Sequence, residues 1–246
     1  MLTKSRFYGC MLILLSTLFH VQARASVAME TRVIFSAKEK EATVRLSNVG
    51  AQPALVQVWL DRGNTQEDIS AIDLPFVLTP AIFRMEANGT QVLRIIHTGE
   101  QLPLNKESLY WLNVLDVPPK PVAGAGQGSL QLAIRTRIKM MYRPEGLPGK
   151  AEEAPGKLIW TVGLNEHKQT VLQARNPSAY VVNLAGIEIR AGNKKLQAGP
   201  GHVLPGDMAA FVIDGAVDVK LKGARLAYSS VNDWGGNAFH EATIAE

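Results

Sequence analysis

Cysteine is almost absent from this chain: Cys10 is the only one among 246 residues. It lies in an N-terminal apolar run, so the rest of the chain can form no internal disulfide, no thiolate zinc site and no thiol nucleophile. A long apolar run is missing too. Gly9 to Phe19, with Ser16 and Thr17 inside it, is about half of the roughly 20 residues that a membrane span needs. Lys4 and Arg6 precede the run and Ala23-Arg24-Ala25 follows it as a small-x-small cleavage site. Residues 1–25 therefore read as an export signal peptide rather than an anchor, with a mature chain starting near Ser26 and not inserted in a membrane.

Neither sign of charge is in surplus. The formal net charge is +4, but residues 1–25 hold three basic residues and no acidic one, which leaves 23 Lys and Arg against 22 Asp and Glu, a net of +1. That balance gives no reason to expect nucleic acid as a partner. Histidine is sparse as well. Beyond the leader there are His97, His167, His202 and His240, none with a second His at a ligand spacing, and Glu100, Glu166 and Glu241 are single acidic neighbours. No metal site is expected from such spacing. Gly124, Gly126 and Gly128 look like a phosphate loop, yet a strand pattern follows instead of the helix whose N-terminus would supply the N–H donors. No Ser sits in a nucleophile elbow. No catalytic residue and no cofactor are expected, and the chain does not read as an enzyme.

What the chain does have is alternation. From Glu41 to Asn48, Ala42, Val44 and Leu46 alternate with Thr43, Arg45 and Ser47, the period of a half-buried strand. Leu55–Leu60, Gln91–His97, Leu109–Val117 and Leu130–Tyr142 continue in kind, set apart by Gly, Pro, Asn and Asp. Between Pro144 and Gly156 the texture breaks into Pro, Gly and charge, a linker composition. Strand patterns resume at Leu158–Val162, Thr170–Ala174, Tyr180–Ile189, Ala209–Ile213, Leu226–Val231 and Phe239–Ile244. The expected architecture is all-β: two β-sandwich domains of Greek-key type, over residues 26–145 and 146–246. About 220 residues are ample to hold such a fold by core packing alone.

Residues 128–144, GSLQLAIRTRIKMMYRP, form the most informative stretch. Leu130, Leu132 and Ile134 share one face. Gln131 and Ala133 take the other, which Arg135, Arg137 and Lys139 continue unless a bulge shifts the register. Two readings are open. Basic residues are a common guard on an exposed sheet edge. Alternatively, the length of the strand and the Gly-rich loop before it suit an apolar half that is presented to a partner.

Four motifs, in order along the whole mature chain, carry a resemblance. They are Thr31-Arg32-Val33-Ile34-Phe35; Glu107-Ser108-Leu109-Tyr110-Trp111-Leu112-Asn113 with Val117-Pro118-Pro119; Leu130-Gln131-Leu132-Ala133 through Arg137-Ile138-Lys139 to Tyr142-Arg143-Pro144; and Asn232-Asp233-Trp234-Gly235-Gly236. With these the chain resembles the periplasmic pilus-assembly chaperones that work with outer-membrane ushers. Lys106 stands where an Arg is more usual in that family, and Leu115-Asp116 and Met140-Met141 replace its more usual pairs.

The resemblance implies two immunoglobulin-like β-sandwich domains set as a boomerang, a periplasmic location, and pilus or fimbrial subunits and an outer-membrane usher as partners. It implies a strand lent to a subunit that lacks one, with Leu130, Leu132 and Ile134 entering the subunit's groove. Burying three such side chains is worth roughly 5–9 kcal/mol before ordering costs. Arg32 and Lys139 match the pair that grips the subunit's C-terminal carboxylate. Glu107, Arg143 and Asp233 match a buried inter-domain ion network, and Pro53 matches a proline near the usher-facing surface, where an ordinary loop proline is the plain alternative. A structural fimbrial subunit or another exported immunoglobulin-like binding protein is the rival reading, but subunits commonly carry a disulfide that this chain cannot form. An exported sandwich enzyme with copper or zinc would need clustered His.

Overall fold

The computed structural model describes residues 26–120, 131–215 and 220–245. The expected leader, Leu130 and the Gly124–Gly128 loop lie outside these residues. Strands, numbered along the chain, account for nearly all the regular structure. One sheet runs β1 (Val27–Ala28), β3 (Glu41–Asn48), β7 (Thr90–His97), β5 (Phe76–Thr79). The sheet facing it runs β2 (Arg32–Ser36), β9 (Ile134–Arg143), β8 (Ser108–Val117), β4 (Ala54–Asp61), β6 (Ile82–Met85). Val44 and Leu46 of β3 are fully covered while Thr43 and Arg45 face solvent, which is the two-residue period written in the sequence. Leu46, Leu93, Leu112 and Met140 fill the space between the sheets. Phe35, Phe76, Tyr110 and Tyr142 close one part of it, with Phe76 and Tyr110 edge-on at 4.9 Å.

The second sandwich packs the sheet β10 (Ile159–Leu164), β11 (Thr170–Arg175), β15 (Met208–Val212) on a sheet ordered β13 (Lys194–Ala198), β12 (Val182–Ala191), β16 (Arg225–Val231), β17 (Asn237–Thr243), with β14 (Gly201–Val203) also paired to β12. Its core gathers Leu172, Ile187 and Ile189 around Trp160, whose ring lies 5.0 Å from that of Tyr228. The chain is all-β with two sandwich domains. Among the described residues no helix is long and apolar enough to cross a membrane.

Three expectations need correction. The segment from Pro144 to Gly156 is not an open linker. It forms two single turns of 3-10 helix, Ala151–Glu153 and Pro155–Lys157, with Ala154 and Pro155 buried. Tyr228 donates to the Pro155 carbonyl at 2.7 Å and Tyr180 to that of Gly149 at 2.9 Å, so tyrosines of the second domain hold the segment down. Second, β9 begins at Ile134, not Leu130. Its partner β8 stops at Val117 because Pro118 and Pro119 have no N–H to continue a ladder. Third, β1, β2, β5, β6, β13 and β14 escaped the sequence reading. All are short, and Lys194–Ala198 is mostly polar, so a period-2 pattern had little room to show.

Candidate functional site

The two edges of β9 are used unequally. Along one edge it pairs with β8 from Ile134 to Tyr142, antiparallel. Along the other it pairs with β2, in parallel, from Lys139 to Arg143 only. Among the described residues, Ile134 to Ile138 therefore have a strand on one side alone. Leu132, just before this stretch, is 49% exposed and Ile134 is half-buried. The third expected insertion residue, Leu130, lies outside the described residues.

The open edge ends where β2 begins. Arg32, the first residue of β2, is in register with Lys139. Lys139 Nζ donates to Asn183 Oδ1 at 2.7 Å and to the Gly201 carbonyl at 3.4 Å, and it lies 5.4 Å from the centroid of the Trp111 ring. Arg32 donates one terminal N–H to the Val231 carbonyl at 3.0 Å, while its Nε is buried without a hydrogen-bond partner. Among the described residues neither cation forms an ion pair. Burial, and then the charge of Arg32, push the Lys139 ammonium down to about 8. Burial lowers Arg32 as well, partly offset by Asp233. Two desolvated cations side by side, one with an unused donor, make a site that a single anionic group would relieve. His202 stands edge-on to Trp111, and burial and Lys139 push it down to about 4, so at neutral pH it carries no charge.

Four residues beyond Lys139, β9 ends in a second inter-domain contact. Arg143 Nε meets Glu107 Oε1 at 2.5 Å, and its terminal nitrogens meet Asp233 at 2.7 and 3.0 Å. Glu107 Oε2 accepts from the Val181 N–H at 2.7 Å, and the Glu107 N–H donates to the Ala179 carbonyl at 2.9 Å. The structure thus brings Glu107, Arg143 and Asp233 together, but they are unequally buried. The Glu107 side chain is 1% exposed, Arg143 23% and Asp233 26%, so only the glutamate fits the expectation of a buried ion. Burial pushes the Glu107 carboxyl up despite Arg143, whereas on Arg143 its two acidic partners outweigh burial and push it up.

Pro53 borders a groove with Leu55, Val117 and Pro118 on the first domain. Among the described residues no group of three His, Cys, Asp or Glu comes together as a metal site would need. Sequence reasoning missed Asn183 and His202 in the cleft and Asp61 and Asn113 under β9. Each is a single polar residue in an apolar strand or turn, and its partners come from other strands. An isolated Asp at the end of an apolar run, as at Leu55–Asp61, was the one available signal.

Two matches to domain families cover almost all of the described chain. Residues 26–148 match the pili and flagellar-assembly chaperone PapD N-terminal domain, and residues 153–242 match the pili assembly chaperone PapD C-terminal domain. The chain belongs to the pili-assembly chaperones, a family of chaperones rather than enzymes. Among its relatives, the probable fimbrial chaperone YadV of Escherichia coli K12 is 38% identical over 209 residues, 84% of each chain. Chaperone protein FimB/FhaD of Bordetella pertussis is 38% identical over 232 residues, 91% of this chain and 90% of that one. A chain in the solved structure of the Salmonella enterica SafA pilin in complex with the SafB chaperone superposes with a TM-score of 0.73 at 29% identity, covering 91% of this chain and 99% of that chain.

Proposed function

We propose that this chaperone works in the periplasm, lends the open half of β9 to pilus subunits that lack a strand, and delivers them to an outer-membrane usher. The observation that carries this reading is the half-open edge of β9 ending at two cations that, among the described residues, form no ion pair. A subunit strand lying on Ile134–Ile138 with its C-terminal carboxylate at Arg32 and Lys139 must run toward Lys139, parallel to β9. Leu132 and Ile134, with Leu130 ahead of them, then project from the added strand pair into the subunit. The sequence signal over residues 1–25 supports export, and the SafA–SafB complex supports subunits as the partners of such a fold. Release needs neither nucleotide nor metal, because a better-fitting strand from the next subunit can displace β9.

The anchor gives the direct test. Arg32→Ala and Lys139→Ala each remove one partner of a desolvated charge contact, which costs roughly 2–5 kcal/mol of binding. Both variants are expected to fold, by circular dichroism and melting, and to lose subunits in pull-downs. Folded variants that capture subunits as the unaltered chain does would overturn the carboxylate anchor.

A further inference from the structure

The outer face of β9 carries an arrangement that none of these roles uses. Arg135 and Arg137 project from the open half of the strand, yet neither reaches across the open edge. Both fold back over β8 and β4. The guanidinium of Arg135 lies 4.8 Å from the centroid of the Trp59 ring, and that of Arg137 lies 4.6 Å from that of Trp111. Asn113 Oδ1 accepts from Arg135 Nε at 3.0 Å and Nη2 at 2.8 Å, and from Arg137 Nε at 3.0 Å. Asp61 takes Arg137 Nη2 at 2.7 Å and Arg135 Nη2 at 3.4 Å, and Arg135 Nη1 donates to the Thr65 carbonyl at 3.2 Å. The Asp61 side chain is 1% exposed and is held by the Gly63 N–H at 2.6 Å and Asn113 Nδ2 at 2.8 Å.

Two guanidinium groups thus share one buried carboxylate and one buried amide, and each lies over an indole ring. A planar fork fits this geometry and an ammonium does not. Basic residues that guard a sheet edge do so by standing out from it. Here they are drawn the other way, so the edge stays clear. A strand with a ladder on one side only would otherwise open readily. Side-chain ties to β8 and, across it, to β4 oppose that.

We propose that Asp61 and Asn113, acting through Arg135 and Arg137, are positioning residues: they hold Ile134–Ile138 extended with its edge exposed, so that a subunit meets a preformed strand and capture loses less to ordering. This rests on the strand-lending reading above.

The test uses the full mature chain. An Arg135→Lys/Arg137→Lys pair keeps both charges but removes the forks, and Asp61→Asn removes the shared carboxylate. Amide hydrogen exchange is followed at the β8-bonded amides of 134–138 and, for comparison, of 139–143. Subunit association rates are measured in parallel. The expected result is exchange at least tenfold faster in 134–138 only, with association slowed about tenfold. Lysine variants that exchange and capture normally overturn the proposal, since charge alone would then suffice. Faster exchange in both halves also overturns it, because the cluster would then serve general stability, as does local loosening without slower capture. Normal capture by Leu132→Glu would instead overturn the strand-lending reading, and this proposal with it.

Discussion

At the scale of the residue, Lys139 is placed at a disadvantage in the empty chaperone that a bound carboxylate reverses. Burial and Arg32 hold it at about 8 against an ordinary 10.5. A lysine whose folded value lies below its unfolded one opposes folding while it is charged, so the free chaperone gains stability from this group as pH rises from about 8 toward 10.5. A bound carboxylate favours the charged form and raises the value again. Subunit affinity should therefore be full below pH 8 and fall above it, by up to about tenfold per pH unit until the raised value is passed. His202, neutral above about 4, adds nothing in that window. Measured from pH 6 to 10, affinity should drop while the denaturation midpoint of the free chain rises. Lys139→Arg, which stays charged, should flatten both curves. An affinity constant across this range in the unaltered protein would place the carboxylate away from Lys139.

At the scale of the element, β9 divides into a half closed by β2 and a half that is open, and Leu132 and Ile134 stand at the open end. Leu132→Glu brings a charge to a position that is 49% exposed in the free chaperone, so melting should hardly change. In a subunit groove the same charge would be desolvated without a partner, and capture should be lost. Normal pull-down of subunits by this variant would count against strand lending. Strand β9 also marks what a sequence shows and hides. The alternation that reveals β3 and β8 is local, so those strands were legible, as was the face shared by Arg135, Arg137 and Lys139. Where β9 starts depends on where β8 runs out of N–H donors, and where the arginines lean depends on Asp61 and Asn113 from two other strands. Neither is written in the residues around Arg135. The segment from Pro144 to Gly156 misled for a related reason: its composition matches a linker, and it is held down by Tyr180 and Tyr228, distant in sequence.

At the scale of the whole molecule, the domains meet through hydrogen bonds and ions along β9. Glu107 is closed off and held by the Val181 N–H as well as by Arg143, whereas Asp233 keeps contact with water. Breaking a buried pair costs about 3–5 kcal/mol and an exposed one about 0–1. Glu107→Gln should therefore destabilise by about 3 kcal/mol or more, and Asp233→Asn by about 1–2, between those limits. Both should broaden the distribution of domain orientations in small-angle scattering while each domain keeps its fold. Equal and negligible effects of the two substitutions would remove the ions from the junction. Strand β2 has a consequence of its own. It takes the edge of β9 from Lys139 onward, so a guest strand that runs in the same direction meets it end to end. On the strand-lending reading β2 acts as a doorstop: a subunit carrying extra residues past its natural C-terminus has nowhere to lie, and the chaperone measures where a chain finishes before it reads what the chain says.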